Sequence, residues 1–209
     1  IGDDHLTASG RIHNFYDPDF SFKLKGDIHP EQWLNWYESI PLHKVSGTII
    51  SDVHVTGSYD RLKPKGERFL SFDFSGGLSL EDVMVLRQKK GLALHQLNGT
   101  IRIDNDFWEP SLSGSYGQSD FHISGSGLNL ISFLLKQDET LVASASLRTE
   151  ILDLQEILDN LSRVDREEKQ SIKFPQNLNL KLDFVINEFS KDRFKARNVR
   201  GIATYEAPY

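Results

Sequence analysis

The sequence predicts a mainly β protein: a curved, largely antiparallel sheet of repeated strands with one apolar face, plus about three short amphipathic helices. Three observations predict it. Apolar residues recur with period two, the strand period, through most of the chain. Clusters of Gly, Ser, Asn and Asp separate those runs, as turns between neighbouring strands require. Only three segments carry apolar residues at helical spacing.

The clearest strand places Leu178, Leu180, Leu182, Phe184 and Ile186 on one side and Asn179, Lys181 and Asp183 on the other, with Val185 as the exception. Similar runs occur at Phe20–Leu24, Val45–Val55, Leu70–Phe74, Leu92–Leu94, Gly99–Ile103, Phe121–Ser124 and Leu141–Leu147. Each has one face that needs shelter and one that can meet water, the pattern of an antiparallel sheet covered on a single side.

The first expected helix is Pro30–Ile40, where proline suits the first helical position and Trp33, Leu34, Tyr37 and Ile40 share a face. The second is Asn129–Lys136. The third, Leu152–Arg163, opens on Asp153 with Glu156 three residues later, a capping-box spacing, and carries the stripe Leu154, Ile157, Leu158 and Leu161. The polar stretch Ser162–Ser171 reads as an exposed loop or helix end.

A unit of strand, Gly, short helix and strand occurs at Phe22–Ile49 and again at Phe121–Leu147, and Leu97-Asn-Gly99-Thr-Ile101 echoes Val45-Ser-Gly47-Thr-Ile49. The chain therefore reads as one continuous β-rich segment, residues 1–209, with sub-repeats at 20–68 and 69–162 and another beginning at 172–205. Its first residues, Ile1-Gly2-Asp3-Asp4, and its last, Ala207-Pro208-Tyr209, suggest a fragment of a longer protein.

Composition narrows the function. A net charge of −6 argues against nucleic acid as the main partner, because phosphate binding needs a concentrated basic surface. The basic stretches Arg87–Lys90 and Lys191–Arg200 read as solvated edges. The absence of cysteine excludes disulfides, thiolate nucleophiles and Cys-based zinc sites. No run approaches the roughly 18 apolar residues of a membrane-spanning helix.

Catalytic signatures are missing too. There is no nucleophile elbow, phosphate loop or H-E-x-x-H helix. The histidines at 5, 13, 29, 43, 54, 95 and 122 show no metal-ligand spacing and read as turn or strand-surface residues. Asp104-Asn105-Asp106 lacks the later ligands of a calcium loop and reads as a hairpin turn, and Asp17-Pro18-Asp19 as another turn. Neither a cofactor nor a metal is expected, and no enzyme. Trp33, Trp36 and Trp108 suit core or interface packing, with sugar stacking as the alternative if Trp108 is exposed.

Two long stretches carry a resemblance. One is Phe72-Asp-Phe-Ser-Gly76-Gly-Leu-Ser-Leu80-Glu-Asp-Val83 followed by Gly91-Leu-Ala-Leu-His-Gln-Leu97-Asn-Gly99-Thr-Ile101-Arg-Ile103. The other is Leu112-Ser-Gly114-Ser-Tyr-Gly117-Gln-Ser119-Asp-Phe121-His-Ile-Ser-Gly125 with Leu128–Leu135. In this order they resemble the AsmA-like family of AsmA/TamB-type bacterial envelope proteins, as does Leu147–Leu158. The likeness spans residues 20–205 and is weakest around Trp33–Tyr37.

The resemblance implies a periplasmic segment of a protein anchored in the inner membrane of a Gram-negative bacterium. It also implies an apolar β-groove that binds or conducts phospholipid acyl chains in lipid transport and outer-membrane biogenesis. The lining candidates are Leu70, Phe72, Phe74, Phe121, Ile123, Leu178, Leu180, Leu182 and Phe184. Each could instead pack as core against the three helices. Alternative functions are an envelope assembly module that contacts other proteins through its sheet edges, and a carbohydrate-binding β domain.

Overall fold

A computed structural model describes residues 5–32, 42–59, 62, 69–87, 93–136, 139–165 and 177–206. Within these, the side chains of 32, 42, 43, 69–72, 87, 134–136 and 160–165 are not described. The chain forms one open ten-stranded sheet whose strands lie side by side in chain order. They are β1 (His5–His13), β2 (Asp19–Ile28), β3 (Leu42–Tyr59), β4 (Phe69–Arg87), β5 (Ala93–Asp104), β6 (Phe107–Tyr116), β7 (Ser119–Leu128), β8 (Leu141–Asp153), β9 (Leu178–Lys191) and β10 (Phe194–Tyr205). Every neighbouring pair is antiparallel except β8–β9. The expected fold class holds.

Two α-helices accompany the sheet among the described residues: α1 (Leu130–Lys136) and α2 (Leu154–Asp165). The first expected helix begins as a 3-10 turn at Pro30–Gln32; Trp33, Trp36, Tyr37 and Ile40 lie outside the described residues. A parallel pair cannot be joined by a tight hairpin, and α2 stands in the longer connection that β8 and β9 need. It starts two residues later than expected because Leu152 and Asp153 still pair with Phe189 and Ser190 in the ladder. It runs to Asp165, so the first residues of the expected loop Ser162–Ser171 are helical.

Half of the expected capping box forms. Asp153 Oδ1 accepts the Glu156 N–H at 3.1 Å, which caps α2. The Glu156 carboxylate does not return to Asp153. It accepts the Gln118 N–H at 3.0 Å, while the Asp153 N–H donates to Ser119 Oγ at 2.9 Å. The β6–β7 turn thereby fastens the start of α2.

Asp120 completes this clamp. The β7–β8 ladder ends at His122–Arg148, and beyond it the Asp120 carboxylate takes the N–H groups of Glu150 and Ile151 and the Thr149 hydroxyl. Burial pushes the Asp120 carboxyl up, but the Ile151 and Glu150 N–H groups outweigh it and hold the pKa below the usual carboxylate value. A depressed pKa contributes stability above the unfolded value of about 3.9, and that stability is lost as pH falls through the folded value. Asp120→Asn should therefore lose about 1–2 kcal/mol at pH 7. Urea midpoints of the two proteins should converge below about pH 4; a gap that persists unchanged there would contradict the ionic role.

The two repeat units are each an antiparallel pair with an inserted helical segment, β2–β3 and β7–β8. They are inverted relative to each other. Strand direction alternates from β1 to β8, so the Pro30 turn and α1 sit at opposite ends of the strands. Asp104-Asn105-Asp106 is the expected hairpin turn, with Asn105 at φ 52° and its N–H donating to the Phe74 carbonyl at 2.7 Å. The connection containing Asp17 and Pro18 turns β1 into β2 as expected.

Candidate functional site

Directly paired residues in a sheet point to the same face, so the registers assign each side chain. One face reads Leu6, Ala8, Gly10 and Ile12 on β1, then Phe20, Phe22, Leu24, Gly26 and Ile28 on β2. On β3 and β4 it continues through Ile49, Ser51, Val53 and Val55, opposite Leu80, Leu78, Gly76 and Phe74. On β5 to β7 it carries Ile101 and Ile103, Pro110 and Trp108, Leu112, and Phe121 and Ile123. Finally come Ala143, Ala145 and Leu147, matched to Leu180, Leu182 and Phe184, with Gly201, Ala203 and Tyr205 at the far edge. None of these described positions is charged.

Three of the hydroxyls on this face have hydrogen-bond partners. Ser51 Oγ donates to the Gly26 carbonyl, Ser119 Oγ accepts from the Asp153 N–H, and Thr149 Oγ1 donates to the Ile151 carbonyl. All three residues are buried. The face is apolar across the sheet except at one end of β9 and β10, where Arg197 pairs with Glu188 at 3.4 Å.

The side chains on it crowd one another. Val45, Val83 and Leu97 form a buried cluster against which Ile49, Leu80, Val85, Leu94 and Phe121 pack. Phe121 reaches it across β6 because Gly114 leaves room. A Cβ at Gly114 would stand 2.9 Å from both Leu97 Cδ2 and Phe121 Cζ. Side chains two strands apart meet this way when a sheet curls towards the face they occupy. Aromatic rings lie over other glycines of the same face: Phe22 over Gly10, Trp108 over Gly127 and Phe184 over Gly201. Trp108 is half-buried, not exposed, and its buried Nε1 has no hydrogen-bond partner among the described residues.

The opposite face carries most of the charged and hydroxyl side chains, together with the exposed Ile50, Phe107, Leu128, Val142 and Ile202. Lys23, Lys25, Asp52 and His54 lie on β2 and β3, with Ser21 Oγ 2.8 Å from His54 Nε2. Asp52 is paired with Lys25 at 2.9 Å and Lys23 at 3.5 Å. The Lys25 hydrogen bond, reinforced by Lys23, holds the Asp52 carboxyl below its ordinary value. Ser79, Thr100, Arg102, Glu109, Ser111 and Ser124 continue this face around an open hollow of about 700 Å³. Lys195, Arg197 and Arg200 lie exposed on the edge strand β10, where charge guards against unwanted strand pairing.

Seven of the nine lining candidates have described side chains, and the structure brings them to the same face. Phe74, Phe121, Ile123, Leu178, Leu180, Leu182 and Phe184 are all half-buried there. Leu70 and Phe72 lie within β4, Phe72 opposite Gly57, and their side chains are outside the described residues. Sequence reading missed Leu6, Ile12, Trp108, Pro110, Leu112 and Val199 as members of this face. Among the described residues no group of His, Asp and Glu could hold a metal ion, and no helix is long and apolar enough to cross a membrane. Comparison with family models, with curated proteins and with solved structures finds no match to this chain.

Proposed function

We propose that the chain is a non-catalytic segment of an AsmA-like envelope protein that binds or conducts phospholipid acyl chains along its apolar face. One observation carries the reading: apolar residues line one face across all ten strands, with the Glu188–Arg197 ion pair at one end of it, while most of the charged and hydroxyl side chains lie on the other. An apolar face this wide needs a partner. The chain exposes 14473 Å², where a compact monomer of 23.8 kDa exposes about 9,900 Å². Acyl chains suit such a face because they ask for apolar area without directional hydrogen bonds. The proposed setting is the periplasm, within a protein anchored in the inner membrane.

Mass spectrometry of organic extracts tests this. The chain, made in the periplasm and purified without detergent, should carry phospholipid above a control protein. Leu180→Ser with Leu182→Ser should reduce that lipid, and Lys181→Ser with Asp183→Ser, on the opposite face, should not. A folded chain with no lipid above control would contradict the reading and favour an assembly module that pairs through its open edges, β1 and β10.

A further inference from the structure

The open hollow on the face opposite the apolar one is built by two rows of directly paired residues. One row runs through Ile50, Ser79, Thr100, Ser111 and Ser124 across β3 to β7. The next runs through Asp52, Gly77, Arg102 and Glu109 across β3 to β6. Together they line a volume of about 700 Å³. Asp52 is engaged by Lys25 and Lys23, and Ser79 Oγ donates to the Gly99 carbonyl at 3.5 Å. The side chains of Thr100, Arg102, Glu109, Ser111 and Ser124 make no hydrogen bond or ion pair among the described residues, although Arg102 and Glu109 stand directly opposite each other. Gly77 leaves the floor open between Asp52 and Arg102. A Cβ there would meet only the Ile101 carbonyl oxygen, at 3.5 Å, an ordinary contact.

We propose that this hollow binds an extended, uncharged oligosaccharide laid across β4 to β7. Its free groups are of mixed kind: a guanidinium that only donates, a carboxylate that only accepts, and hydroxyls that do both. Sugar hydroxyls, each donor and acceptor at once, answer all three. Neighbouring strands lie about 4.8 Å apart, close to the length of one sugar ring, so an extended chain crossing the strands meets a fresh polar group at each ring. The exposed Ile50 ends the row with an apolar surface for the C–H face of a ring. Other ligand classes fit less well. An anion would meet the unpaired Glu109 carboxylate beside Arg102. A protein partner favours aromatic anchors and avoids serine and glutamate at the centre of its interface. The site lies on the face opposite the one assigned to acyl chains, so either proposal can fail without the other.

The test is calorimetric titration of the full chain with cellotetraose and with N-acetylchitotetraose. The parent should bind at least one of them, and tetragalacturonate, its acidic counterpart, should bind more weakly. Gly77→Leu fills the floor and Arg102→Ala removes the free donor; each should weaken binding about tenfold or more while leaving the circular dichroism spectrum unchanged. Arg200→Ala, which removes an arginine of the same face on the distant edge strand β10, should bind like the parent. If Gly77→Leu does not fold, Arg102→Ala decides by the same readout. No binding of either neutral sugar, tighter binding of tetragalacturonate, undiminished binding by the folded hollow variants, or an equal loss in Arg200→Ala would each overturn the proposal. Hollow-dependent sugar binding by a chain without extractable lipid would uphold it and remove the acyl-chain reading instead.

Discussion

Gly99→Val should cost the fold about 3–5 kcal/mol. Gly99 sits in β5 at φ 131°, in the left-handed half of backbone space that L side chains rarely adopt. A Cβ there would overlap the Ser111 carbonyl oxygen and stand 3.0 Å from the Leu112 Cα, both backbone atoms of the neighbouring strand. Rotating the side chain relieves nothing. The sheet must open between β5 and β6, beside the buried cluster of Val45, Val83 and Leu97. A shift in the urea midpoint worth under about 1 kcal/mol would show that the strands yield more easily than their register implies.

Ile186 and Val185 are adjacent in β9 and should respond in opposite ways to the same substitution. Ile186 is 5% exposed and stands between Thr149 and Val199 on the apolar face. Ile186→Asp buries a carboxylate with no cationic neighbour directly across either strand, and should destabilise by about 3–5 kcal/mol. Val185 faces the other way, between Arg148 and Arg200 in the register. Val185→Asp should stay within about 1 kcal/mol of the parent, because cross-strand pairing with two arginines offsets the loss of a β-branched side chain. Equal losses at the two positions, read by denaturant titration, would contradict the assignment of faces.

That pair shows what the sequence makes legible. Alternation places Leu178, Leu180, Leu182, Phe184 and Ile186 together without reference to any other strand, because side-chain direction has period two within a strand. The same logic finds β2, β3, β4, β5, β7 and β8. It passes over β1, where Ala8 and Gly10 hold apolar positions, and β6, where Pro110 and a run of serines obscure the pattern. β10 escapes notice because three of its residues are the charged Lys195, Arg197 and Arg200.

Strand order needs information that no single strand contains. The parallel step from β8 to β9 is foreshadowed only by the α2 stripe, since a helix between two strands permits a crossover without requiring one. The Asp120 clamp joins residues 29 to 31 apart in sequence and leaves no local trace. Asp120 reads in the sequence as one of 30 acidic residues. The capping spacing at Asp153 and Glu156 is visible, but the diversion of Glu156 to Gln118 depends on where the β6–β7 turn lands.

The candidate site is legible as a set of faces and becomes one surface only through register. Phe74, Phe121 and Leu180 lie on strands β4, β7 and β9, and nothing in their separate patterns aligns them. The glycines that let the face curl are visible as residues but not as spacers. Gly114 matters because Leu97 and Phe121 meet above it.

The most direct measurement of the central claim is photocrosslinking at neighbouring positions of β9. A photoreactive phenylalanine replaces Leu182 in one protein and Asp183 in another, both expressed in the periplasm and irradiated in cells. Phospholipid adducts at position 182 with none above background at 183 are the predicted result. No adduct at 182, or equal adducts at both positions, would contradict acyl-chain binding by the apolar face.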